Sequence, residues 1–341
     1  MKANTYFITG GLGFIGAHFV HHLHTQDPSA KIVVIDKITY AANPMRLADL
    51  LAKGNCILEE ANIANEAQMH ALFTAYTPQI VINFAAESHV DNSIAGPAVF
   101  LETNVKGTFT LLEAARKLWM ESPNQIKSEY QKACFYHIST DEVFGSLGEK
   151  GAFNEQSNYA PNSPYSASKA AADHWVRSYH HTYGLPTLLS YCSNNFGPFQ
   201  HAEKLIPTIV RNALKGNDIP IYGNGKNIRD WLYVEDHCTA ISSILARGKK
   251  GETYAIGGNN EHSNIALCDA ILTLLDKIHP KGNGTSYRAQ IKFVSDRPGH
   301  DYRYAIDPIK IQNELGWKPK VSFENALEIT LRHYLEQYLK G

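Results

Sequence analysis

Five side chains have the types and the spacing that an oxidation coupled to an elimination requires. Thr140, Asp141 and Glu142 stand together at the end of an apolar run, and Tyr165 and Lys169 follow, four residues apart. That spacing predicts that Tyr165 and Lys169 share one face of a helix beginning near residue 166. A neighbouring ammonium favours the phenolate, so Lys169 is predicted to lower the pKa of Tyr165 from about 10. Tyr165 would then be the base toward a substrate hydroxyl that also shares a hydrogen bond with Thr140.

The adjacent carboxyl groups of Asp141 and Glu142 predict more than hydride transfer. One can expel a hydroxyl while the other removes a proton, because burial and the Glu142 carboxylate would raise the pKa of Asp141 and keep it protonated. Simpler explanations stay open from these residues alone. Ser139 and Glu142 fit a helix capping box, and adjacent acids at a strand end are often just solvated. An isolated Tyr–Lys pair can also be a surface contact on an amphipathic helix.

A glycine-rich turn predicts a dinucleotide site at the start of the chain. The apolar run at residues 6–9 leads directly into Gly10-Gly-Leu-Gly13-Phe-Ile-Gly16. Glycines at this spacing allow a tight turn, a close approach to a pyrophosphate and a helix N-terminus with free N–H groups. Asp36 follows Gly16 by twenty residues, where a carboxylate accepts from ribose hydroxyls and repels a 2′-phosphate. These features favour NAD over NADP, and a glycine-rich turn without a ligand is the alternative.

Alternating strand and helix patterns must position these groups. Short apolar, β-branched runs occupy residues 6–9, 32–35, 56–59, 80–84, 135–139, 187–191 and 253–256. Helical spacing of apolar residues covers residues 15–25, 66–76, 99–119, 166–183 and 323–340. The alternation predicts an α/β fold: a Rossmann-type doubly wound parallel sheet with a smaller, interleaved α+β substrate lobe.

The composition changes after residue 191 and suggests two parts. Pro, Gly and Asn become common in residues 194–230 and 257–307, which we expect to form loops and short helices. We predict a NAD-binding Rossmann domain over residues 1–192, to which residues 230–257 return. Residues 193–229 and 258–341 are predicted to form mainly the substrate lobe.

The bulk composition argues against several classes of function. The 341 residues carry 32 basic and 33 acidic side chains, so no basic excess points to nucleic acid or a membrane surface. No apolar run approaches the roughly 20 residues that span a bilayer, and the N-terminus lacks a signal-peptide pattern. Five scattered cysteines without a Cys-x-x-Cys motif favour buried free thiols in a reducing compartment. We therefore expect a cytoplasmic protein without a metal site.

Six further segments carry a resemblance to a known family. They are Ala85-Ala-Glu-Ser-His-Val-Asp91, His137-Ile-Ser-Thr-Asp-Glu-Val143, Ser163-Pro-Tyr-Ser-Ala-Ser-Lys169, Cys192-Ser-Asn-Asn-Phe-Gly-Pro198, Ile228-Arg-Asp-Trp-Leu-Tyr-Val-Glu-Asp236 and Asp296-Arg-Pro-Gly-His-Asp301. The chain resembles the dTDP-glucose 4,6-dehydratases, which belong to the extended short-chain dehydrogenases, over essentially its whole length. The Thr-Asp-Glu triplet is the discriminating motif, because the related 4-epimerases keep the Tyr–Lys pair but lack the acid pair.

The resemblance implies conversion of dTDP-glucose to dTDP-4-keto-6-deoxyglucose and water, in deoxysugar biosynthesis of the rhamnose type. Tyr165, helped by Lys169 and Thr140, would deprotonate the glucose 4-hydroxyl while C4 gives a hydride to NAD. Glu142 would remove the C5 proton and Asp141 would protonate the departing 6-hydroxyl. The hydride would return to C6, so NAD would be regenerated each cycle and stay tightly bound.

The resemblance also implies two sets of binding residues. The residues implied for NAD are Gly10, Gly13, Phe14, Ile15, Gly16, Asp36, Lys37, Thr39, Asn62, Ile63, Ala85, Ala86, Thr103, Tyr165, Lys169 and Asn195. Those implied for the nucleotide sugar are Ser88, Thr140, Asn194, Lys204, Leu205, Pro220, Tyr222, Arg229, Asn264, Asp296, Arg297 and His300. Arg229 would bind the diphosphate, since a guanidinium fork suits phosphate oxygens. Its alternative is an ion pair with Asp230 or Asp236.

Several positions depart from the family pattern. Asn62 stands where aspartate is usual at the adenine contact, Asn92 where arginine is common, and Phe144 where tyrosine is frequent. Residues 121–132 are longer and more polar than expected and are predicted to be a surface excursion.

Alternatives concern both the substrate and the assembly. The same reaction on UDP- or CDP-glucose, a nucleotide-sugar 4-epimerase and a non-catalytic NAD-binding regulator all stay open. Family members are generally dimers, and the helices at residues 99–119 and 166–183 could form a four-helix seam or could pack on the sheet instead.

Overall fold

The computed structural model describes residues 4–296 and 299–340. Arg297, one of the predicted substrate residues, lies outside the described residues. The strands are β1 (Thr5–Thr9), β2 (Lys31–Asp36), β3 (Cys56–Glu60), β4 (Ile80–Asn83), β5 (Met120–Ser122), β6 (Gln125–Ile126), β7 (Cys134–Thr140), β8 (Thr187–Cys192), β9 (Asn194–Phe196), β10 (Ile219–Tyr222), β11 (Ile228–Tyr233), β12 (Thr253–Ile256), β13 (Glu261–Ser263) and β14 (Ile291–Val294). The α-helices are α1 (Phe14–Gln26), α2 (Ala48–Ala52), α3 (Glu66–Tyr76), α4 (Val90–Ala95), α5 (Ala98–Phe100), α6 (Gly107–Trp119), α7 (Pro164–Tyr183), α8 (Leu205–Lys215), α9 (Val234–Arg247), α10 (Asn264–Ile278), α11 (Ile309–Leu315) and α12 (Phe323–Lys340).

A seven-stranded parallel sheet forms the centre, in the order β12-β8-β7-β4-β1-β2-β3. The chain builds outward from β1 in one direction and then from β4 in the other, so the strand order reverses between these two neighbours. A reversal of this kind opens a crevice at the carboxyl ends of the strands, where α/β folds bind ligands. The predicted Rossmann-type fold is confirmed, and all seven predicted strands belong to this sheet.

Both faces of the sheet are covered, which explains the nearly continuous apolar strands. Phe7 and Val33 point to one face, and Ile8 and Val34 to the other, as the two-residue period of a strand requires. Helices α3, α6 and α7 contribute to the first core, and α1 and α9 to the second.

A smaller lobe follows the sheet and contains more regular structure than expected. Strands β9, β11 and β13 form one small sheet, β10 pairs with β14, and α8, α10 and α12 enclose a third apolar cluster. The lobe contains both strands and helices, as predicted, but its helices are longer than the short helices expected, since α8 has 11 residues and α10 has 15. Pro207 lies in the first turn of α8, where proline is tolerated, so it does not break the helix.

The helix predicted over residues 99–119 is interrupted. A π-helical segment, Leu101–Lys106, separates α5 from α6 and buries Thr103 and Asn104. The excursion at residues 121–132 is partly ordered: β5 and β6 pair antiparallel, and Tyr130 is buried. The five cysteines are buried and unpaired, as predicted. Across residues 4–296 and 299–340, no helix combines the length and the apolar character that crossing a membrane needs.

Candidate active site

A cavity of about 310 Å³ opens at the carboxyl ends of the central strands and reaches the smaller lobe. It brings together most of the predicted cofactor residues and all five predicted catalytic residues. The predicted residues that line it are Gly10, Gly13, Phe14, Ile15, Gly16, Asp36, Lys37, Thr39, Ile63, Ala85, Ala86, Ser88, Thr103, Thr140, Asp141, Glu142, Tyr165, Lys169, Asn194, Asn195 and Lys204.

The glycine turn is built for close backbone contact. Gly10 has a φ of +66°, and a Cβ there would lie 2.7 Å from the backbone of Ala85. A Cβ on Gly16 would lie 2.4 Å from the carbonyl oxygen of Gly10, so a side chain is excluded at both positions. Gly13 caps α1 without a side-chain hydrogen bond, which leaves the first N–H groups of the helix to bind a pyrophosphate. These features fit a dinucleotide.

Asp36 ends β2 at the far side of this turn. Its Oδ2 accepts from the N–H of Leu12 at 3.1 Å, and its Oδ1 accepts from the N–H of Ile38 at 2.9 Å. Burial raises the pKa of Asp36, and these two hydrogen bonds oppose that effect. Each carboxylate oxygen keeps a further lone pair, which suits the two hydroxyls of an adenosine ribose.

Asn62 does not line the cavity, although Ile63 beside it does. The Asn62 side-chain oxygen accepts from the main-chain N–H of Ala64 at 3.0 Å. The main-chain N–H of Asn62 donates to the side-chain oxygen of Gln68 at 3.0 Å. These hydrogen bonds shape the turn before α3, and the adenine contact implied for Asn62 stays a prediction.

The acid pair follows β7 in a short 3₁₀ turn that spans Asp141–Phe144. Thr140 caps the turn: its hydroxyl accepts from the N–H of Glu142 and donates to Asp141 Oδ1, each at 3.3 Å. The predicted alternative, a capping box led by Ser139, is wrong, because that hydroxyl donates to Asp173 Oδ2 at 2.8 Å.

Asp141 is 2% exposed, and its Oδ2 has no hydrogen-bond partner within the described part of the chain. Burial raises the pKa of Asp141 well above its ordinary range, and the Glu142 carboxylate raises it further. The predicted shift is confirmed in direction and in cause. Since Oδ1 already accepts from Thr140, the acid proton belongs on Oδ2.

Tyr165 and Lys169 lie on the first turns of α7, which begins at Pro164 behind a Ser163–Ser166 capping box. Tyr165 is 8% exposed and Lys169 is 4% exposed, so a surface Tyr–Lys contact is excluded. Lys169 Nζ donates to the carbonyl oxygen of Ile138 at 2.7 Å.

The predicted lowering of the Tyr165 pKa is wrong for the protein without bound NAD. Burial raises that pKa well above 10, and the Glu142 carboxylate adds to the effect, whereas a hydrogen bond with Thr140 opposes it. Lys169 is not among the largest influences on Tyr165, because its ammonium is turned toward a carbonyl of β7.

Most of the other predicted substrate residues lie in the smaller lobe, outside the lining of this cavity. Leu205 begins α8, Asn264 begins α10, and Pro220 and Tyr222 share the exposed face of β10. The Tyr222 ring lies 6.4 Å from the His300 ring, and His300 Nδ1 lies 2.6 Å from Asp296 Oδ1.

Arg229 connects this second group to the acid pair. Its guanidinium donates to the carbonyl oxygens of Ile228 at 2.7 Å and Asp301 at 3.0 Å, and lies 4.3 Å from the centre of the Tyr304 ring. Its positive charge is among the influences that lower the pKa of Asp141. Both carboxylates offered as alternative partners, Asp230 and Asp236, accept main-chain N–H groups.

The cavity also contains polar residues that the sequence did not single out as ligands: Glu87, Ser193, His201 and Glu203. Glu87 lies within the Ala85–Asp91 motif, and its carboxylate is 3.5 Å from Lys37 Nζ. That motif was the available signal for Glu87, and the Cys192–Pro198 motif was the signal for Ser193; no comparable pattern marks His201 or Glu203. Among the residues that the structure describes, no group of three or more His, Cys, Asp or Glu could hold a metal ion.

The chain is similar to known nucleotide-sugar dehydratases over nearly its whole length. Residues 7–330 match the family model described as GDP-mannose 4,6 dehydratase. A dTDP-glucose 4,6-dehydratase of Xanthomonas campestris pv. campestris strain B100 is 50% identical over 331 residues, which cover 97% of this chain and 93% of that one. The dTDP-glucose 4,6-dehydratase 1 of Escherichia coli strain K12 is also 50% identical, over 96% of this chain and 92% of that one.

Solved structures give the same result. A dTDP-glucose 4,6-dehydratase from Streptomyces venezuelae with NAD bound superposes with a TM-score of 0.88 at 41% identity, covering 98% of each chain. A UDP-glucose 4-epimerase from Thermotoga maritima has a TM-score of 0.85 at 25% identity, covering 98% of this chain and 99% of that one. The chain therefore belongs to the dTDP-glucose 4,6-dehydratase family, within the wider family that the GDP-mannose 4,6 dehydratase model describes.

Proposed function

We propose that this protein is an NAD-dependent dTDP-glucose 4,6-dehydratase, a hydro-lyase that forms dTDP-4-keto-6-deoxyglucose and water for deoxysugar biosynthesis. One observation carries the proposal: Asp141 is a buried acid with a raised pKa, beside Glu142 and in the same cavity as Tyr165 and the glycine turn. An elimination needs a neutral acid for the departing hydroxyl and a base for the C5 proton, whereas a 4-epimerisation needs only the base at the 4-hydroxyl.

The cofactor would be held by the glycine turn, by the N-terminus of α1 and by Asp36. When bound there, NAD supplies the reversible acceptance of a hydride. The remaining steps belong to the chain's own side chains, which bind, orient and move protons.

Tyr165 would take the proton of the sugar 4-hydroxyl. Its raised pKa means that the phenolate needs a nearby positive charge, so Lys169 and an oxidised nicotinamide are both required for it to form. Thr140 is hydrogen-bonded to Tyr165 and to Asp141 Oδ1. From that position it would orient the 4-hydroxyl of the sugar toward Tyr165.

Glu142 would remove the C5 proton once C4 is a ketone, and would later return it to C5. Asp141 would give its proton to the 6-hydroxyl, which leaves as water. The unpartnered Oδ2 of Asp141 supports this role, because it is the oxygen left to meet a substrate hydroxyl.

The nucleotide end would lie along the smaller lobe, where Arg229 would bind the diphosphate. Lys204 would lie next to the sugar. Its Nζ donates to the carbonyl oxygen of Ser88, another predicted substrate residue, at 3.1 Å. The rest of the nucleotide would contact the remaining predicted residues of this lobe: Pro220, Tyr222, Asn264, Asp296 and His300.

Mass analysis of the purified protein incubated with dTDP-, UDP- or CDP-glucose tests the proposal. We expect loss of one water from the dTDP compound. Loss from only the UDP or CDP compound would keep the reaction and change the nucleotide. An isomer of unchanged mass would mean epimerisation, and no conversion of any donor would favour an NAD-binding regulator.

We also propose that the protein works as a homodimer in the cytoplasm and is divided at the boundaries predicted above. Three large apolar side chains on the outer face of the α5–α7 region support the dimer: Val99 is 43% exposed, Leu101 is 63% exposed and Trp175 is 42% exposed. Such a group favours burial against a second copy. The five unpaired cysteines support a reducing compartment.

A further inference from the structure

A buried row of polar groups lies behind Lys169, on the side away from the cavity. Tyr165, Lys169 and Asp173 repeat every four residues along α7 and therefore share one helix face. Asp173 is 0% exposed and does not line the cavity, so it cannot reach a bound sugar or nicotinamide. A fully buried carboxylate without such a role needs a physical reason.

The Asp173 carboxylate is held from several sides. Oδ2 accepts from the Ser139 hydroxyl at 2.8 Å and lies 3.4 Å from the Tyr159 hydroxyl. Oδ1 lies 3.4 Å from His137 Nε2, and the same Nε2 lies 3.3 Å from Lys169 Nζ. His137 and Lys169 are thus the neighbours on the side that faces the active site.

A chain of hydrogen bonds sets the tautomer of His137. The hydroxyl of Thr9 accepts from the N–H of Ala85 and donates to Asn83 Oδ1 at 2.6 Å, which fixes the orientation of the Asn83 amide. Asn83 Nδ2 then donates to His137 Nδ1 and to Thr108 Oγ1, each at 3.1 Å. A neutral ring that accepts at Nδ1 carries its proton on Nε2.

The Nε2 atom of His137 therefore lies between Lys169 Nζ at 3.3 Å and Asp173 Oδ1 at 3.4 Å, and Oδ1 has no hydrogen-bond partner among the described residues. Burial lowers the pKa of His137 well below its usual value, and Lys169 lowers it further, so the ring stays neutral. It lies beside the Asp173 carboxylate without adding a charge that would neutralise it.

We propose that Asp173 is a positioning residue of the proposed reaction: it is the buried counter-charge that keeps Lys169 protonated. The inference deepens the proposed function and rests on it. Lys169 Nζ donates to the Ile138 carbonyl, and Asp173 lies one helical turn further along α7, with His137 Nε2 between the two side chains at 3.3 Å from Nζ and 3.4 Å from Asp173 Oδ1. Without that carboxylate, a fully buried ammonium would face only neutral groups.

The other ionisable groups around the pair agree with this role. Burial lowers the pKa of Lys169, and the Asp173 charge raises it. Burial raises the pKa of Asp173 to about 7, and the ammonium of Lys169 opposes that rise, so Asp173 is charged on the alkaline side of neutral. Cys192, on the neighbouring strand β8, is neutral in the working range because burial raises its pKa to about 12.

Of the three ionisable side chains on the far side of Asp173 from Lys169, only one is charged. Tyr159 and Tyr191 stay protonated, because burial raises both pKa values far above neutral. Arg177, one turn further along α7, is a positive charge that also lowers the pKa of Asp173. On the cavity side, Asp141 and Glu142 act on Tyr165 rather than on Lys169.

The pH dependence of Asp173→Asn tests the proposal. Asparagine keeps the shape and the acceptor for Ser139 but removes the charge, so Lys169 should lose its proton at a lower pH. We expect the alkaline limb of the kcat profile to move about one to three pH units toward acid. The matched control is Asp236→Asn, a buried aspartate on α9 that accepts from the N–H groups of Lys320 and Val321, and it should leave that limb in place.

A double-mutant cycle with Lys169→Met keeps the test decisive even if Asp173→Asn folds poorly. If Asp173 acts through Lys169, adding Asp173→Asn to Lys169→Met should cost no further activity and should raise Tm, since it removes an unpaired buried carboxylate. An unmoved alkaline limb, or additive losses of kcat, would overturn the proposal. Wild-type water loss in the same assay reports on the proposed function independently.

Discussion

Replacing Asp141 with asparagine separates the elimination from the oxidation. The amide has the same shape and can still accept from Thr140, so the cavity should keep its form. Only the transferable proton on Oδ2 is lost. Hydride removal from C4 depends on Tyr165, which the change does not touch.

The size of the effect follows from the role of the side chain. General acid catalysis contributes roughly 10²–10⁴-fold, which is about 3–5 kcal/mol of the barrier to water loss. The cost falls toward the upper end here, because the acid is 2% exposed and bulk water cannot replace it. Steady-state turnover of Asp141→Asn should fall by that factor, whereas the first oxidation should slow by much less.

Rapid mixing of the NAD-loaded variant with dTDP-glucose measures both steps. The near-ultraviolet absorbance of reduced nicotinamide should rise at close to the wild-type rate and then persist, while mass analysis shows little water loss. Unaltered turnover, or equal slowing of oxidation and elimination, would refute the assignment. Asp236→Asn provides the comparison for a buried aspartate outside the cavity.

The same variant should gain stability relative to the wild type as the pH rises. The folded protein holds the Asp141 proton more tightly than the unfolded chain, since burial raises the folded pKa. Wild-type stability therefore falls as the pH rises from about 4 toward that raised value, and Asp141→Asn lacks this loss. The Tm difference between variant and wild type should widen as the pH rises above about 4; a constant difference would contradict a neutral Asp141.

Three further changes test other parts of the molecule. Gly16→Ala would place a Cβ 2.4 Å from a backbone carbonyl oxygen and should abolish NAD retention, whereas Gly282→Ala, which points into open space, should not; the NAD content of the purified protein decides. Arg229→Ala should raise the KM for dTDP-glucose by about tenfold or more through loss of charge-assisted hydrogen bonds, and an unchanged KM would reject a diphosphate role. Leu101→Glu should give a monomer in light scattering, while Met45→Glu, at a side chain 77% exposed outside the seam, should not change the mass.

The strands were predictable because their signal is local. Apolar, β-branched runs bounded by turn residues placed all seven central strands within two residues of their ends. The π-helical Leu101–Lys106 segment was not predicted, because an extra residue per turn leaves the apolar spacing looking helical. The lengths of helices α8 and α10 were not predicted, because Pro207 and nearby Gly and Asn residues outweighed the apolar spacing.

For the candidate active site, too, some features could be predicted from the sequence and others could not. The residue types at 140–142, 165 and 169 were sufficient to predict a common cavity, since strand ends and helix faces follow from spacing. The direction of the Tyr165 pKa shift was not predictable, because it depends on burial and on where Lys169 Nζ points. The place of Asn62 beside the cavity wall depends on its contacts with Ala64 and Gln68, which no motif records.

The position of β12 at the edge of the sheet constrains how the chain folds during synthesis. β12 pairs with β8, but 60 residues that mostly build the smaller lobe and α9 lie between Cys192 and Thr253. A growing chain that has just completed β8 therefore exposes an unpaired strand edge until β12 emerges from the ribosome. Exposed edges recruit other strands, so a chain truncated near residue 192 should aggregate rather than form an isolated NAD-binding unit.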